Sequence, residues 1–226
     1  MLLWQRTLKI NYDKIITTLG IIKKQTRGFV VPSVSQFAYK KDPYLVLISC
    51  ILSLRTKDKT TVEASNRLFR VAKTPKKLAA LSPLRIEKLI YPVGFYRTKA
   101  RAILEASRRI IEEFNGKVPD NLEDLLGFKG VGRKTANLVL GLGFGMPAIC
   151  VDTHVHRVSN RLGWVKTRNP EETEFALRKI LPRDKWIGIN TTLVTFGQNT
   201  CVPVSPLCSR CPVSGLCKKV GVRTYR

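Results

Sequence analysis

Residues 127–134 decide the fold and read Gly127-Phe128-Lys129-Gly130-Val131-Gly132-Arg133-Lys134. A helix is predicted on each side, over Leu122–Leu126 and Arg133–Leu142, so the stretch forms the turn of a helical hairpin. Glycine permits positive φ and lets the backbone come close to another surface. The free N–H groups at the start of the second helix would point outward at its positive end. The hairpin is therefore a candidate phosphate site, with an ordinary helix–turn–helix corner as the alternative.

Helical patterns dominate on both sides of this hairpin. Prolines in first turns, amphipathic spacing and one strongly apolar segment mark the other predicted helices. These are Tyr12–Lys23, Pro43–Leu54, a helix capped by Asp58 or Thr60 and ending near Val71, Pro75–Leu81, Pro83–Leu89, Thr98–Asn115, His154–Arg161, Pro170–Lys179 and Trp186–Asn199. No alternating run indicates a strand, and a dinucleotide-binding loop would need one before the turn. The predicted fold class is all-α, with a polar linker over Lys24–Lys41 and a loop from Cys201 onward.

The chain is strongly basic. Its 226 residues include 40 Lys and Arg against 16 Asp and Glu, which gives a formal charge of +24. Because 44% of the residues are hydrophobic, a core can form and general disorder is excluded. A folded protein with this charge repels itself, and a polyanionic partner is the usual reason to tolerate it. The alternative is a basic protein without such a partner.

Patterns of secretion and membrane insertion are not visible in the sequence. Met1–Trp4 is only briefly apolar, and the longest plainly hydrophobic run, Tyr44–Leu54, has 11 residues, too few to span a bilayer. Six cysteines in an intracellular chain favour a metal centre over a disulfide framework. We therefore expect an intracellular protein with no membrane partner. Cys50 and Cys150 lie in apolar surroundings and are predicted to be small core residues.

Four further cysteines lie within 17 residues near the end of the chain. Their spacing is C-x6-C-x2-C-x5-C, at Cys201, Cys208, Cys211 and Cys217. Four thiolates this close together bind a soft metal ion or an iron–sulfur cluster. A structural zinc site more often pairs two C-x2-C knuckles, and only one is present here. The spacing favours a [4Fe–4S] cluster over a zinc ion or unligated thiols.

Lys134 and Asp152 are the candidate catalytic residues. Lys134 falls in the first turn of the second hairpin helix, where the positive helix end, basic neighbours and partial burial would all favour a neutral amine. A neutral amine is a nucleophile suited to Schiff-base chemistry, although most lysines are solvated surface charges. Asp152 precedes Thr153 and His154 at a helix start. It is therefore either an N-cap or an acid that faces Lys134 across a cleft.

Three motifs follow one another along the chain: Leu126–Val139 with its Gly-Val-Gly-Arg-Lys-Thr-Ala core, the segment Val151-Asp152-Thr153-His154, and the four-cysteine loop. Together they resemble the endonuclease III family of helix-hairpin-helix DNA glycosylases, which act in base excision repair. The resemblance covers about Pro43 to Cys217. It implies two domains, a six-helix barrel at 36–147 and a discontinuous iron–sulfur cluster domain at 1–35 and 148–226. DNA would lie in the cleft between them.

The resemblance also implies a reaction. Lys134 would attack C1′ of a damaged nucleotide that has been rotated out of the duplex. Asp152 would stabilise the developing charge on the sugar or accept the lysine proton. The expected activity is a bifunctional DNA glycosylase and AP lyase that removes oxidised pyrimidines such as thymine glycol and cuts the strand 3′ to the abasic site by β-elimination. Relatives that remove only mismatched bases generally lack this lysine.

Further residues would contact DNA if this chain follows the family. The hairpin would bind phosphates, an aromatic residue would wedge into the duplex, and a strand-insertion loop would fill the gap left by the extruded base. These residues are Arg55, Phe95 or Tyr96, Lys129, Gly130, Gly132, Arg133, Arg210 and Lys218. Arg55 stands where the family usually has glutamine, and an arginine can hydrogen-bond an orphan guanine. The alternative for the aromatic residue is a plug in the barrel loop, and His154 and His156 are predicted to be structural.

The expected partner is double-stranded DNA that contains damaged bases or abasic sites, bound by a monomer. The expected location is intracellular and DNA-associated, as in the cytoplasm or nucleoid of a prokaryote. The cluster would support the fold and position DNA without cleaving bonds. Two rival functions remain at this point, a monofunctional mismatch or damaged-base glycosylase on the same scaffold and a non-catalytic DNA-binding protein.

Overall fold

All regular secondary structure in the part of the chain that the structure describes is helical. This computed structural model describes residues 2–38 and 41–226, with side chains from residue 12 onward. The helices are α1 Leu2–Thr26, α2 Pro43–Ser53, α3 Asp58–Val71, α4 Pro75–Ala79, α5 Pro83–Ile90, α6 Tyr96–Glu113, α7 Leu122–Leu126, α8 Arg133–Leu138, α9 Thr153–Leu162, α10 Pro170–Ile180 and α11 Trp186–Asn199. No residue of the two described ranges lies in a strand, so the all-α prediction is confirmed.

Two helices differ from their predicted bounds by more than two residues. The first, α1, begins ten residues before the predicted start at Tyr12 and extends into the predicted linker as far as Thr26. Positions 39 and 40 of that linker lie outside the described residues. The second is the helix after the hairpin, where α8 ends at Leu138 and a π-helical turn follows at Val139–Gly143.

The π-helical turn brings backbone against backbone at Gly143. A Cβ on Gly143 would lie 2.6 Å from the Cα of Pro43, which is closer than real Cβ contacts allow. Only glycine therefore lets this turn pack against the start of α2. The predicted continuous α-helix is wrong because the tertiary contact, not local propensity, decides the shape of this segment.

The chain divides into two compact units. One unit is Pro32–Ala148, which contains α2 to α8 and is named here the hairpin unit. The other, named the cysteine-loop unit, combines Met1–Val31 with Ile149–Arg226. Since α1 joins α9 to α11 in this second unit, the two ends of the chain build one core.

The hairpin unit is built around α2. The Asp42 carboxylate caps this helix by accepting hydrogen bonds from the amides of Tyr44 (2.9 Å) and Leu45 (3.2 Å), and Pro43 occupies its first turn. Its residues from Tyr44 to Leu52 are all buried, which agrees with its uniformly apolar sequence. Among the described residues, no helix is both long enough and apolar enough to cross a membrane.

The cysteine-loop unit has its own apolar core. Residues of α1, α9, α10 and α11 are buried together, and the largest fully buried side chain among them is Phe196. Cys201, Cys211 and Cys217 pack against this core. The loop after α11 is therefore packed against the core through these three half-buried cysteines, although most of its residues are exposed or half-buried.

Candidate functional site

The hairpin turn between α7 and α8 buries two residues and exposes the others. Phe128 and Val131 are 3% and 6% exposed, while Lys129, Gly130 and Gly132 lie at the surface. The Val131 amide donates to the Phe128 carbonyl at 3.0 Å and closes the turn. Gly130 has φ of +81°, which L side chains rarely adopt. The buried side chains of Phe128 and Val131 thus fix the turn, and Gly130 and Gly132 stay exposed on it.

Arg109 on α6 packs against the turn between α7 and α8. Its guanidinium lies 4.9 Å from the ring centre of Phe128 and 5.7 Å from that of Phe114. A 2.7 Å ion pair with Glu113 orients it, and a Cβ on Gly127 would meet its Nη1 at 2.8 Å. Cation–aromatic stacking of this kind contributes roughly 0.5–2 kcal/mol per contact. The hairpin is therefore anchored through side chains that the hairpin motif itself does not contain.

Gly130 and Gly132 face open space. No heavy atom of the described residues beyond the chain neighbours lies within 4 Å of the position that a Cβ would take at either glycine. Gly132 is the N-cap of α8, and Lys129 adds a positive charge at the surface, where it lies 3.9 Å from Glu105. This arrangement can receive an external anion at the start of α8.

Lys134 is the second residue of α8, and its side chain is exposed. The expectation of partial burial is wrong, because the helix turns this residue outward while Thr135 and Ala136 face the core. The ammonium group nevertheless acts on the buried Cys50 of α2. Burial raises the pKa of Cys50 to about 12, and the positive charge of Lys134 opposes that rise. An exposed amine at this helix start is accessible to an external substrate.

Asp152, in the cysteine-loop unit, is the N-cap of α9. Its Oδ1 accepts hydrogen bonds from the amides of His154 and Val155, both at 2.9 Å. The structure thus realises the capping alternative, and the two capping bonds use only one of the two carboxylate oxygens. Asp152 is half-buried.

The two histidines of α9 make structural contacts. Nδ1 of His154 lies 3.1 Å from Nη2 of Arg157, so this ring nitrogen accepts the hydrogen bond because a guanidinium can only donate. Nδ1 of His156 lies 2.7 Å from the hydroxyl of Thr173. A Cβ on Gly197 would lie 3.0 Å from the His154 ring, so α11 packs closely here. These contacts support a structural role.

Two turns of the hairpin unit present Arg55 and Phe95 together. Both residues have positive φ, +50° and +58°, and the guanidinium carbon lies 5.9 Å from the centre of the Phe95 ring. Phe95 is 63% exposed. Tyr96, the other aromatic candidate, is half-buried and packs edge-on against Tyr91 at 5.4 Å. Of the two aromatic candidates, Phe95 is the one available to a partner.

Lys99 is a residue of this region that no sequence motif indicated. It is 7% exposed, and its amine donates to the carbonyls of Leu52 and Leu54 and to the hydroxyl of Thr56. Burial lowers the pKa of Lys99 to about 8. The signal was its position in α6, four residues before the buried Ile103 on the apolar face. A lysine at a core position of an amphipathic helix indicates a buried polar contact.

The four cysteines of the C-terminal loop line one enclosed space together with Phe196. Positive and N–H groups face their sulfurs. Arg161 Nη1 donates to Cys201 Sγ at 3.5 Å, and the Lys219 amide donates to Cys217 Sγ at 3.3 Å. Burial raises the pKa of Cys211 and Cys217, and repulsion from Cys201 adds to the rise. The bare thiols therefore resist ionisation, and bound iron would reverse this because a coordinated thiol is deprotonated.

The donor set fits an iron–sulfur cluster better than a single ion. A zinc ion needs sulfurs within about 2.3 Å of one point. Among the residues that the structure describes, no group of three or more His, Cys, Asp or Glu side chains is arranged to hold one metal ion. In a cluster the thiolates bind different irons, so they need not converge on one point.

Comparisons with known proteins decide the family. The model of the HhH-GPD superfamily of base excision DNA repair proteins matches residues 48–183, and the iron–sulfur binding domain of endonuclease III matches residues 201–217. Endonuclease III of Thermotoga maritima is 55% identical over 177 residues, which are 78% of this chain and 83% of that protein. The chain belongs to the endonuclease III family. The predicted resemblance, the glycosylase fold and the iron–sulfur cofactor are thereby confirmed.

Solved structures similar to this endonuclease III-family chain include the following two. A trapped covalent intermediate of endonuclease III with DNA has a TM-score of 0.79 and 34% identity, covering 92% of this chain and 96% of the other. A thermostable thymine-DNA glycosylase has a TM-score of 0.81 and 26% identity, covering 93% and 97%. Membership of this family shows that the chain is a base excision repair DNA glycosylase.

Two predicted DNA contacts of this family member lie on the cysteine-loop unit. Arg210 and Lys218 are both exposed, one in the loop between the second and third cysteines and one just after the fourth. The stem of Lys218 lies over Gly163, where a Cβ would meet its Cδ at 2.3 Å. Gly163 ends α9 with φ of +74°. Glycine at this position thus leaves space for the lysine stem and lets its charge reach the surface.

Proposed function

We propose that this protein is a bifunctional DNA glycosylase and AP lyase that removes oxidised pyrimidines of the thymine glycol type from duplex DNA. It then cuts the strand 3′ to the abasic site. The observation that carries the proposal is the exposed amine of Lys134 at the start of α8, beside the two glycines that face open space. The hairpin would bind the phosphates and Lys134 would reach the sugar of the same strand.

In the proposed reaction the Lys134 amine is the nucleophile and is regenerated at the end. The neutral Lys134 amine attacks C1′, the bond from C1′ to the base breaks, and the base leaves with a proton. The nitrogen then expels O4′ from C1′, which opens the sugar ring, and O4′ takes up a proton from solvent. The imine formed in this way makes the C2′ proton acidic. Its removal expels the 3′ phosphate, and hydrolysis of the imine returns Lys134. Base rotation out of the duplex is required because C1′ is otherwise inaccessible, and damage makes the rotation less costly.

Asp152 is proposed as the electrostatic partner in this reaction. Its Oδ1 caps α9, which fixes the carboxylate, while Oδ2 takes no part in the two capping bonds. A carboxylate held in this way stabilises positive charge as it develops on the sugar. It can also accept the proton that Lys134 must lose before it attacks.

Double-stranded DNA with damaged bases or abasic sites is the proposed partner, bound by a monomer. Lys129, Gly130, Gly132 and Arg133 would contact phosphates from the hairpin unit. Arg210 and Lys218 would add contacts from the cysteine-loop unit. Phosphate contacts position the enzyme without reading sequence, and the net charge of +24 favours them. The proposed location is intracellular and DNA-associated.

Cys201, Cys208, Cys211 and Cys217 would hold the [4Fe–4S] cluster. When bound, the cluster supplies cross-links between four points of the loop and takes no part in bond cleavage. The chain's own contribution is the apolar space that encloses the thiols and the Arg161 and Lys219 groups that face them.

A second candidate is a monofunctional mismatch glycosylase, favoured by the likeness to a thymine-DNA glycosylase. A lesion panel separates the two. Purified protein is incubated with duplexes that carry thymine glycol, a G·T mismatch or an abasic site, and the DNA ends are identified by mass. We expect loss of thymine glycol, an unsaturated aldehyde on the 3′ end and an intact G·T duplex. Base removal without strand cleavage would support the second candidate, and intact DNA throughout would indicate a binding protein.

Gly132→Asp tests the phosphate contact of the hairpin. The Gly132 backbone is extended, with φ of −99° and ψ of 177°, so aspartate fits as an N-cap of α8. The free energy of unfolding should be unchanged or raised by about 1 kcal/mol. Affinity for DNA should fall about tenfold or more, since the new carboxylate occupies the anion site and repels phosphate.

The control for this variant is Gly188→Asp. Gly188 lies in α11 and is exposed, and a Cβ added there would meet no neighbouring side chain within 4 Å. It therefore receives the same charge change in the cysteine-loop unit and not in the hairpin unit. Both variants are compared with the native protein by fluorescence anisotropy on duplex DNA at several salt concentrations. Equal affinity losses in both variants would contradict a phosphate site at α8.

A further inference from the structure

Residues 218–226 follow the fourth cysteine, run back over the cysteine loop and are named here the strap. Their first contacts are with the end of α9, in the same unit. The Lys218 amide donates to the carbonyl of Leu162 at 3.5 Å, and the Val220 amide donates to that of Arg161 at 3.1 Å. Carbonyls in the last turn of a helix have no partner within the helix. The strap therefore begins as a cap on the C-terminal end of α9.

The far end of the strap is bound to the chain between the first two cysteines. The Arg226 amide donates to the carbonyl of Pro206, and the Ser209 amide donates to the backbone oxygen of Arg226, both at 2.9 Å. The Arg226 side chain adds a third bond, from its Nε to the Ser205 carbonyl at 3.2 Å. With both ends attached, the strap bridges from α9 to the loop that carries the cysteines.

The middle of the strap forms part of the wall around the four cysteines. Of the strap residues only Lys219 and Val222 are half-buried, and both line the space that the cysteines enclose. The Val222 amide donates to the Lys219 carbonyl at 3.0 Å, which closes a turn. The Lys219 amide faces Cys217 Sγ at 3.3 Å, while its ammonium group lies 5.0 Å from the ring centre of Tyr225. The strap thus presents an apolar side chain and a lysine stem to the sulfurs.

The turn of the strap depends on left-handed backbone and has little packing to support it. Lys219 has φ of +53° and Gly221 has φ of +70°. A residue other than glycine adopts such a conformation only where its surroundings enforce it. The strap residues other than Lys219 and Val222 are exposed, so few buried contacts oppose its opening. The strap can therefore open locally while the core of the cysteine-loop unit stays folded.

We propose that the strap is a lid that retains the [4Fe–4S] cluster, because it limits the access of small competing ligands to the iron. The rate at which the strap opens then sets the rate of iron loss. Opening of a locally stable segment controls access to what it covers in the same way that it controls exchange of a buried amide. The proposal rests on the four proposed ligands and not on the proposed catalysis.

Gly221→Val tests the strap through its backbone alone. A Cβ at Gly221 would meet no atom within 4 Å beyond the chain neighbours, so the new side chain creates no clash. Valine strongly disfavours positive φ, and the turn should therefore open more often. Iron-loaded proteins are mixed under argon with an excess of bipyridine, a neutral ligand of ferrous iron, and iron release is followed by visible absorbance. We expect Gly221→Val to release iron at least about tenfold faster than the native protein.

Two matched controls separate strain in the strap from the added side chain. Gly221→Asn places a side chain of similar size at the same position, but asparagine tolerates the left-handed conformation. Gly215→Val makes the same substitution in the loop between the third and fourth cysteines, where the glycine is exposed, its φ is not positive and a Cβ would also meet open space. Both controls should release iron within about twofold of the native rate.

Val222→Ser keeps the test decisive if Gly221→Val does not fold. It removes the apolar side chain from the wall around the sulfurs and leaves the backbone of the turn unchanged, so iron release should again be faster. Complete loss of iron from either variant during purification, with full iron in both controls, would also support the proposal. The proposal is overturned if either variant carries its iron and releases it at the native rate, or if the controls release iron as fast as Gly221→Val. Failure of the lesion panel would leave this result standing, because iron release is measured without DNA.

Discussion

Lys134→Ala should abolish covalent capture of the protein on damaged DNA by borohydride. Borohydride reduces the imine between an amine and C1′, so capture requires the nucleophile itself. Strand cleavage in single-turnover reactions should fall by about three orders of magnitude or more, because loss of a covalent nucleophile removes the main reaction path. Capture is measured as a shifted band in a denaturing gel, with a duplex that contains an abasic site.

Lys129→Ala is the matched control for that experiment. Both lysines are exposed and lie in the same hairpin, five positions apart. Lys129→Ala should weaken DNA binding yet retain full capture at saturating protein. Capture that persists unchanged in Lys134→Ala would show that another amine is the nucleophile.

Cys211→Ser should remove the iron and loosen the cysteine-loop unit. The native protein should contain about four iron atoms per chain, and the variant close to none, because serine is a poor ligand for a soft metal centre. Cys211 packs against the core of its unit, so loss of the cluster also removes support from that core. Iron analysis, visible absorbance and limited proteolysis of residues 149–226 measure the two effects separately.

Cys150→Ala is the control for the cluster. Cys150 is buried in the same unit, where its Sγ lies 3.3 Å from Asn190 Nδ2, and it is not one of the four loop cysteines. This variant should keep its iron and lose about 1 kcal/mol of stability from the missing packing. Retention of all iron in Cys211→Ser would contradict the proposed ligand set.

The sequence predicted those features of the molecule that depend on residues close together in the chain. The hairpin turn follows from its glycines and flanking helical patterns, and the structure places Gly130 at positive φ as that pattern requires. The cysteine loop was predicted from spacing alone, and the family match over residues 201–217 confirms its cofactor. The cap at Asp152 was one of two predicted alternatives and is present.

Contacts between distant segments could not be predicted in this way. The exposure of Lys134 depends on how α8 packs, and the π-helical turn at Val139–Gly143 depends on the approach of Pro43. The Arg109 stack beneath the hairpin and the Lys99 contact join residues that are 19 and 43–47 positions apart. No local pattern of residue types encodes which partner lies across such a gap.

The pairing of α1 with α11 sets an order of events during synthesis. Residues 32–148 leave the ribosome as one continuous segment and can fold as a domain while translation continues. Ile15, Leu19 and Ile22 of α1 must instead wait for Leu193 and Phe196, which emerge more than 160 residues later. Until then the apolar face of α1 lacks its packing partner on α11. The nascent chain therefore carries an exposed hydrophobic segment that chaperones can recognise.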